Sequence, residues 1–267
     1  MDGYFPPEGM AWRVGRELAL LLGGGRALLL QVAHPLVAAG VAEHSDYRRD
    51  PWKRLEGTMN SVWAVVFGSR EQADRATARV RAMHSRVQGR TAAGTPYSAL
   101  DPELLMWVHA TLVDTALLVY RQWVHPLSDG EQAVYYEEMK TAARLFGTPA
   151  AVMPPTLADF RSYMRDMLEG PTIHAGDTAR EIAASVMHPP LPIALRPAME
   201  LANLVTAGLM PARLRREYRL AWDPARAALV AASRETTRRV LMPLLPSRLR
   251  TVPAGSGEAT VGSLTRL

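Results

Sequence analysis

The chain has 267 residues, 48% apolar and 21% charged, with a formal net charge of +5, a balance that fits one globular domain with its own core. Cysteine is absent, which excludes a disulfide, a thiolate nucleophile, cysteine-ligated zinc and the usual iron–sulfur clusters. Nearly all the basicity is arginine, interspersed with acids as in Arg16-Glu17, Arg70-Glu71, Arg180-Glu181 and Arg234-Glu235, which describes a solvated helical surface rather than a nucleic-acid face.

Residues 1–14 read as an N-terminal extension, 15–250 as the folded domain and 251–267 as a flexible tail containing Ala254-Gly255-Ser256-Gly257. No basic region followed by an apolar core and a cleavage site opens the chain, so a cytoplasmic location is expected. Leu18 to Ala42 is apolar enough to suggest a membrane span. However, Gly23-Gly24-Gly25, Arg26 and Pro35 interrupt it, so a buried helical hairpin is the expectation. The glycine run lacks the preceding strand of a dinucleotide site and the Lys-Ser/Thr of a phosphate loop.

Further along, Arg54 and Thr58 stand four apart and share a helical face. Glu71 to Val87 reads as a helix on which Val80, Met83, His84 and Val87 fall at i, i+3, i+4 and i+7. An imidazole on such a stripe needs a buried partner or a metal. Asp101-Pro102 starts a helix whose stripe is Leu105, His109, Leu112, Val113 and Ala116. Asp129 opens the next, stopped at Gly147, and Thr156 with Asp159 forms a capping-box-like start to another. Further helices are predicted around Thr178–Met187, Ile193–Gly208, Pro211–Trp222 and Ala225–Met242. The fold class is therefore all-α, a single multi-helix domain of about nine or ten helices.

From the residues alone each candidate has two readings. His84 and His109 are either core histidines satisfied by a neighbour or ligands. Arg54 and Thr58 are either a surface arginine with an ordinary threonine or a cation and a hydroxyl aimed into a pocket. His34 precedes Pro35, where the kink frees carbonyls that His34 or Gln31 could satisfy. His44 has no evident role, and His125 and His188 read as helix-end residues. No Glu-x-x-His pair, His-Glu-x-x-His motif or Gly-x-Ser-x-Gly elbow is present. Leu209–Arg216 and Arg239–Met242 mix arginine with apolar residues, as interfacial membrane helices and ordinary packed helices both do.

Taken in order, Gln31–His44, Arg54-x-x-Gly57-Thr58, Met83-His84-x-x-Val87, Trp107–Asp114 and Gly208–Arg215 resemble the rubber oxygenase (latex-clearing protein) and MpaB oxygenase family, whose characterised members bind haem b. The resemblance implies an all-helical domain enclosing a haem pocket. His84 would be the axial iron ligand, with Met83 and Val87 as porphyrin wall. His109 would be a second ligand or a hydrogen-bond partner, and His34 part of the wall. Arg54 and Thr58 would be the catalytic pair that polarises dioxygen. Rubber oxygenases carry Arg-x-x-Lys-Thr, and the lysine can occupy the iron; here Gly57 stands in its place, so the sixth position is open, water-filled or closed by another group. The implied activity is haem b-dependent oxygenation of an unsaturated hydrophobic substrate by dioxygen. The alternatives are a non-catalytic haem carrier or sensor, or a helical interaction protein.

Overall fold

Residues 2–45, 51–189 and 192–252 are described by a computed structural model, with 51–55 as backbone. The fold is all-α in one domain. Its first helix, α1 (Met10–Gly15), buries Met10, Ala11, Trp12 and Val14, so the segment read as an extension contributes to the core. Trp12 packs edge-on against Phe67 at 5.0 Å, and its indole N–H donates to the Phe5 carbonyl at 3.1 Å.

Leu18 to Ala42 forms a tight 3-10 turn over Leu18–Gly23, then α2 (Gly24–Val32), then α3 (Pro35–His44) after a 105° bend. Pro35 cannot continue α2, and His34 turns extended to cap α3, its Nδ1 accepting from the Leu36 N–H at 3.3 Å. The carbonyls freed at the end of α2 are satisfied from elsewhere than expected. Trp107 Nε1 donates to Leu30 O, the Tyr218 hydroxyl to Leu29 O and the His174 N–H to Ala33 O. Gln31 instead donates to Thr111 Oγ1 at 3.2 Å.

The glycine run has a packing function. A Cβ on Gly23 would lie 2.5 Å from Thr115 Cγ2, and one on Gly25 2.2 Å from Thr206 Oγ1. Only hydrogen fits where α2 meets its two neighbours. Beside them Arg26 is 4% exposed and fully engaged, donating to the Leu209 carbonyl, Thr115 Oγ1 and Asp114 Oδ2. Asp114 is its charge partner.

A helical hairpin follows: α4 (Pro51–Phe67), a turn at Gly68, and α5 (Arg70–His84), which opens with a Ser69–Gln72 capping box. The chain leaves helix after His84, three residues before the expected Val87, and enters a short antiparallel pair, β1 (Gln88–Arg90) and β2 (Pro96–Ser98), in the register Gln88↔Ser98. Gly94, at φ +82°, makes the turn between them.

The centre of the fold is α6 (Pro102–Val119), extended by a π-helical turn to Val124. Asp101 caps it as expected, accepting from Glu103 N and Leu104 N. It is long and apolar enough to cross a membrane, and two thirds of it is buried inside the protein (67%), the position of a core helix. Around it pack α7 (Asp129–Leu145) and α8 (Leu157–Glu169); α9 (Asp177–Met187) lies against α2 and α3. α7 opens at Asp129 as expected, capped by Ser128 with Glu131, and the Thr156–Asp159 box on α8 forms as expected. α10 (Arg196–Leu209), α11 (Ala212–Glu217) and α12 (Pro224–Thr236) complete the fold, and a second small core of Val119, Trp123, Val205, Leu209 and Val230 joins α10 and α12 to α6. Among the described residues α1 to α12 exceed the nine or ten expected; α1, inside the segment read as an extension, was not foreseen. After α12 a π-helical turn (Thr237–Leu241) and two short turns lead back to the start, where Val252 N donates to Arg16 O at 2.8 Å and Thr251 bridges Glu17.

Candidate functional site

The face of α5 that packs on α4 is set by Ala73, Ala76 and Thr77, which are buried. At 100° per residue that face continues through Val80 to His84, and both are half-buried. Met83 lies one residue round the helix and is 56% exposed, so the stripe of Val80, Met83, His84 and Val87 divides. Met83 faces a surface cleft of about 400 Å³ whose walls are His44, Arg79, Ala82, Met83, Arg86 and Val87. Val87 reaches that cleft from the turn after the helix rather than from the helix itself.

Opposite α5, α4 has two distinct halves. Trp63 to Phe67 are all buried, whereas none of residues 56–62 is. Thr58 lies in the less buried half and is exposed, as is Gly57, where an added Cβ would meet nothing within 4 Å, whereas Met59 and Val62 pack on the core. The side chain of Arg54 lies outside the described residues; its backbone belongs to the first turn of α4. Arg54 and His84 each stand about four helical turns, roughly 20 Å, from the Gly68 bend, so the hairpin brings both to its open end.

Below the cleft lies a polar cluster. The Tyr97 hydroxyl donates to Glu43 and stands 3.3 Å from His44 Nε2, with the His44 and Tyr97 rings edge to face at 6.2 Å. Burial, then the Glu43 hydrogen bond, push the Tyr97 hydroxyl up to about 12, so it stays a donor at neutral pH. β1 can approach because residue 89 is glycine; a Cβ there would sit 2.7 Å from the Tyr97 oxygen. His44, Arg79 and Arg86 were not singled out from sequence. The available signal was a second stripe, Arg79, Ala82, Met83 and Arg86, with the same i, i+3, i+4, i+7 spacing as the one read.

The other candidates lie apart. His109 on α6 is 9% exposed, its Nε2 has no hydrogen-bond partner, and burial holds its imidazole down at about 4, hence neutral. α6 packs mainly on α2, α7 and α8, whereas the main partner of α5 is α4, so His109 and His84 stand on helices with different principal partners. His34 is half-buried with Nδ1 occupied by the cap of α3; burial, then the neighbouring His174, lower its pKa against the opposing pull of Asp101. Among the described residues no group of three or more His, Asp or Glu is placed to hold a bare metal ion.

Comparison with known proteins defines the class. The family model described as ER-bound oxygenase mpaB/B'/Rubber oxygenase, catalytic domain, matches residues 12–239, and the chain belongs to this oxygenase family. Among curated proteins it is similar to the uncharacterized proteins Mb2261 of Mycobacterium bovis and Rv2237 of Mycobacterium tuberculosis. Each is 27% identical over 207 residues, covering 74% of this chain and 79% of the relative. No solved structure matches the chain significantly.

Proposed function

We propose that the protein is a haem b oxygenase that uses dioxygen on an unsaturated hydrophobic substrate. The observation that carries this reading is the open end of the α4–α5 hairpin, where His84 ends α5 beside the less buried half of α4 that holds Gly57 and Thr58. These residues fit a haem. Histidine is a haem ligand that a chain without cysteine retains, and the cleft on the adjoining face of α5 offers Met83, Ala82 and Val87 as apolar surface and Arg79 with Arg86 as cations suited to carboxylates.

When bound, haem supplies a reducible iron able to activate dioxygen. The chain's own part is to hold and orient. His84 offers an imidazole from the last turn of α5, a rigid position. Gly57 leaves the facing stretch of α4 without a side chain, so no lysine caps the site from there. Thr58 offers a hydroxyl for a bound water, and Arg54 is assigned the cation that polarises dioxygen. The cleft beside Met83 and Val87 admits an apolar chain, and the protonated Tyr97 fixes His44 at its floor.

The test is an absorption spectrum of protein expressed with haem supply, before and after dithionite and carbon monoxide. A Soret band that shifts with carbon monoxide is expected, lost or broadened in His84→Ala and restored there by added imidazole. No Soret band after adding hemin, or an undiminished band in His84→Ala, would overturn the assignment.

A further inference from the structure

We propose that the segment Arg238–Arg250 is a docking surface that seats the protein on bilayers containing anionic phospholipid. This goes beyond the haem reading and stands independently of it, since residues 240–250 lie outside the family match to 12–239.

From Thr236 to Val252 the chain has four arginines, 238, 239, 248 and 250, and no acidic residue. The apolar residues among them face outward: Val240 and Leu241 are exposed, Leu244 is 75% exposed and Leu249 61%. A soluble surface rarely offers so many large apolar side chains in so short a stretch. Yet the segment is held in shape. Pro243 and Pro246 break it into a π-helical turn and two short helical turns. Leu245 N donates to Leu241 O, Arg250 reaches Met242 Sδ, and Val252 is tied to Arg16.

The charges decide the occupant. Arg250 turns inward, 3.9 Å from the buried Glu17. Arg238 and Arg239 share one carboxylate, Glu235, which leaves the pair with a net positive charge. Arg248 is exposed and makes no hydrogen bond or ion pair among the described residues. A second copy of the chain would have to bury this surplus positive charge against itself, and the cores of protein interfaces are depleted of charge. A bilayer accommodates both components, taking leucines below the headgroups and guanidinium groups at the phosphates.

The experiment is vesicle co-sedimentation of the full chain with its haem, using phosphatidylcholine alone or mixed with phosphatidylglycerol. Binding to the mixed vesicles and little to phosphatidylcholine alone are expected. Arg239→Gln with Arg248→Gln should weaken it about fivefold per arginine, and Leu244→Asp with Leu249→Asp by about tenfold or more. Both pairs alter exposed side chains, so the helical circular dichroism and the Soret band should stay as in the wild type. The Soret band reports the haem reading separately from the vesicle result. No binding to mixed vesicles, or binding unchanged in both variants, overturns the proposal. So does a leucine variant that converts a dimer to a monomer in the absence of any vesicle binding, which would assign the patch to self-association.

Discussion

Arg26 Nη2 lies 2.7 Å from Asp114 Oδ2, joining the start of α2 to the middle of α6 through a guanidinium that is almost fully buried. The same side chain reaches the Leu209 carbonyl at the end of α10. Three helices distant in sequence therefore meet on one cation. A buried ion pair is a weak source of net stability, but leaving one member alone is costly. Asp114 retains partial exposure, which softens its half of that cost.

Arg26→Ala is accordingly expected to destabilise the fold by about 3 kcal/mol or more, since it strands a carbonyl, a hydroxyl and a carboxylate together. Asp114→Asn should also be clearly destabilising, because it leaves the buried Arg26 cation without a counter-charge even though the amide oxygen still accepts a hydrogen bond. Urea denaturation measures both losses. Losses below about 1 kcal/mol in both variants would mean that the pair acts as a simple surface salt bridge.

Two glycines make opposite predictions. Gly25→Ala places a methyl 2.2 Å from Thr206 Oγ1, an overpacking expected to cost about 1–3 kcal/mol. Thr206→Ala should recover part of that loss in the double variant, because the nearest obstructing atoms are those of Thr206. Gly57→Ala meets nothing and sits inside a helix, so it should stabilise by about 0.5–1 kcal/mol. Thermal melts compare the three. A destabilising Gly57→Ala would show that α4 is covered at that point in solution.

Gly57→Lys tests the distal side of the proposed haem site. Restoring the residue type found in rubber oxygenases should give a six-coordinate haem spectrum and slow carbon monoxide binding. An unchanged spectrum and unchanged rate would mean that position 57 does not face the iron.

His109 sets a pH dependence. Burial holds its imidazole at about 4 in the folded protein, against about 6.5 in an unfolded chain. Below pH ~6.5 the unfolded state takes up a proton that the folded state refuses. Its effect is absent above pH ~6.5, grows as pH falls, and levels off below pH ~4 at roughly 3 kcal/mol of lost stability. His109→Leu should lack this component, so its urea midpoint should fall less than that of the wild type between about pH 7 and pH 4. Parallel curves would show that His109 does not titrate differently on folding.

Short-range signals were readable in the sequence. The Thr156–Asp159 box and the Asp101 cap each join atoms within three residues, so composition and spacing specify them. The start of α7 at Asp129 was readable in the same way, although its Ser128–Glu131 box was not singled out. The end of α5 was not readable, since β1 and β2 are three residues each and too short for a strand period to register. The purpose of Gly23-Gly24-Gly25 depends on Thr115 and Thr206, which only the fold brings near. For the cleft, α5 carries two stripes with the same spacing, one residue apart. Which of them turns outward is decided by packing against α4, and no local pattern contains that information. His44 and Tyr97 come from a third region again, so their pairing with the cleft is tertiary throughout.

The link between Val252 and Arg16 has a consequence for synthesis on the ribosome. The first helix is made early, yet the strand contact beside it, at Glu17 and Thr251, is supplied by residues made more than two hundred positions later. A nascent chain can assemble most of its helices while that seam stays open. The seam closes only once residues 251 and 252 are available, so a premature stop shortly before residue 250 would yield a nearly complete protein with an unsealed first turn, a species for quality-control proteases to recognise.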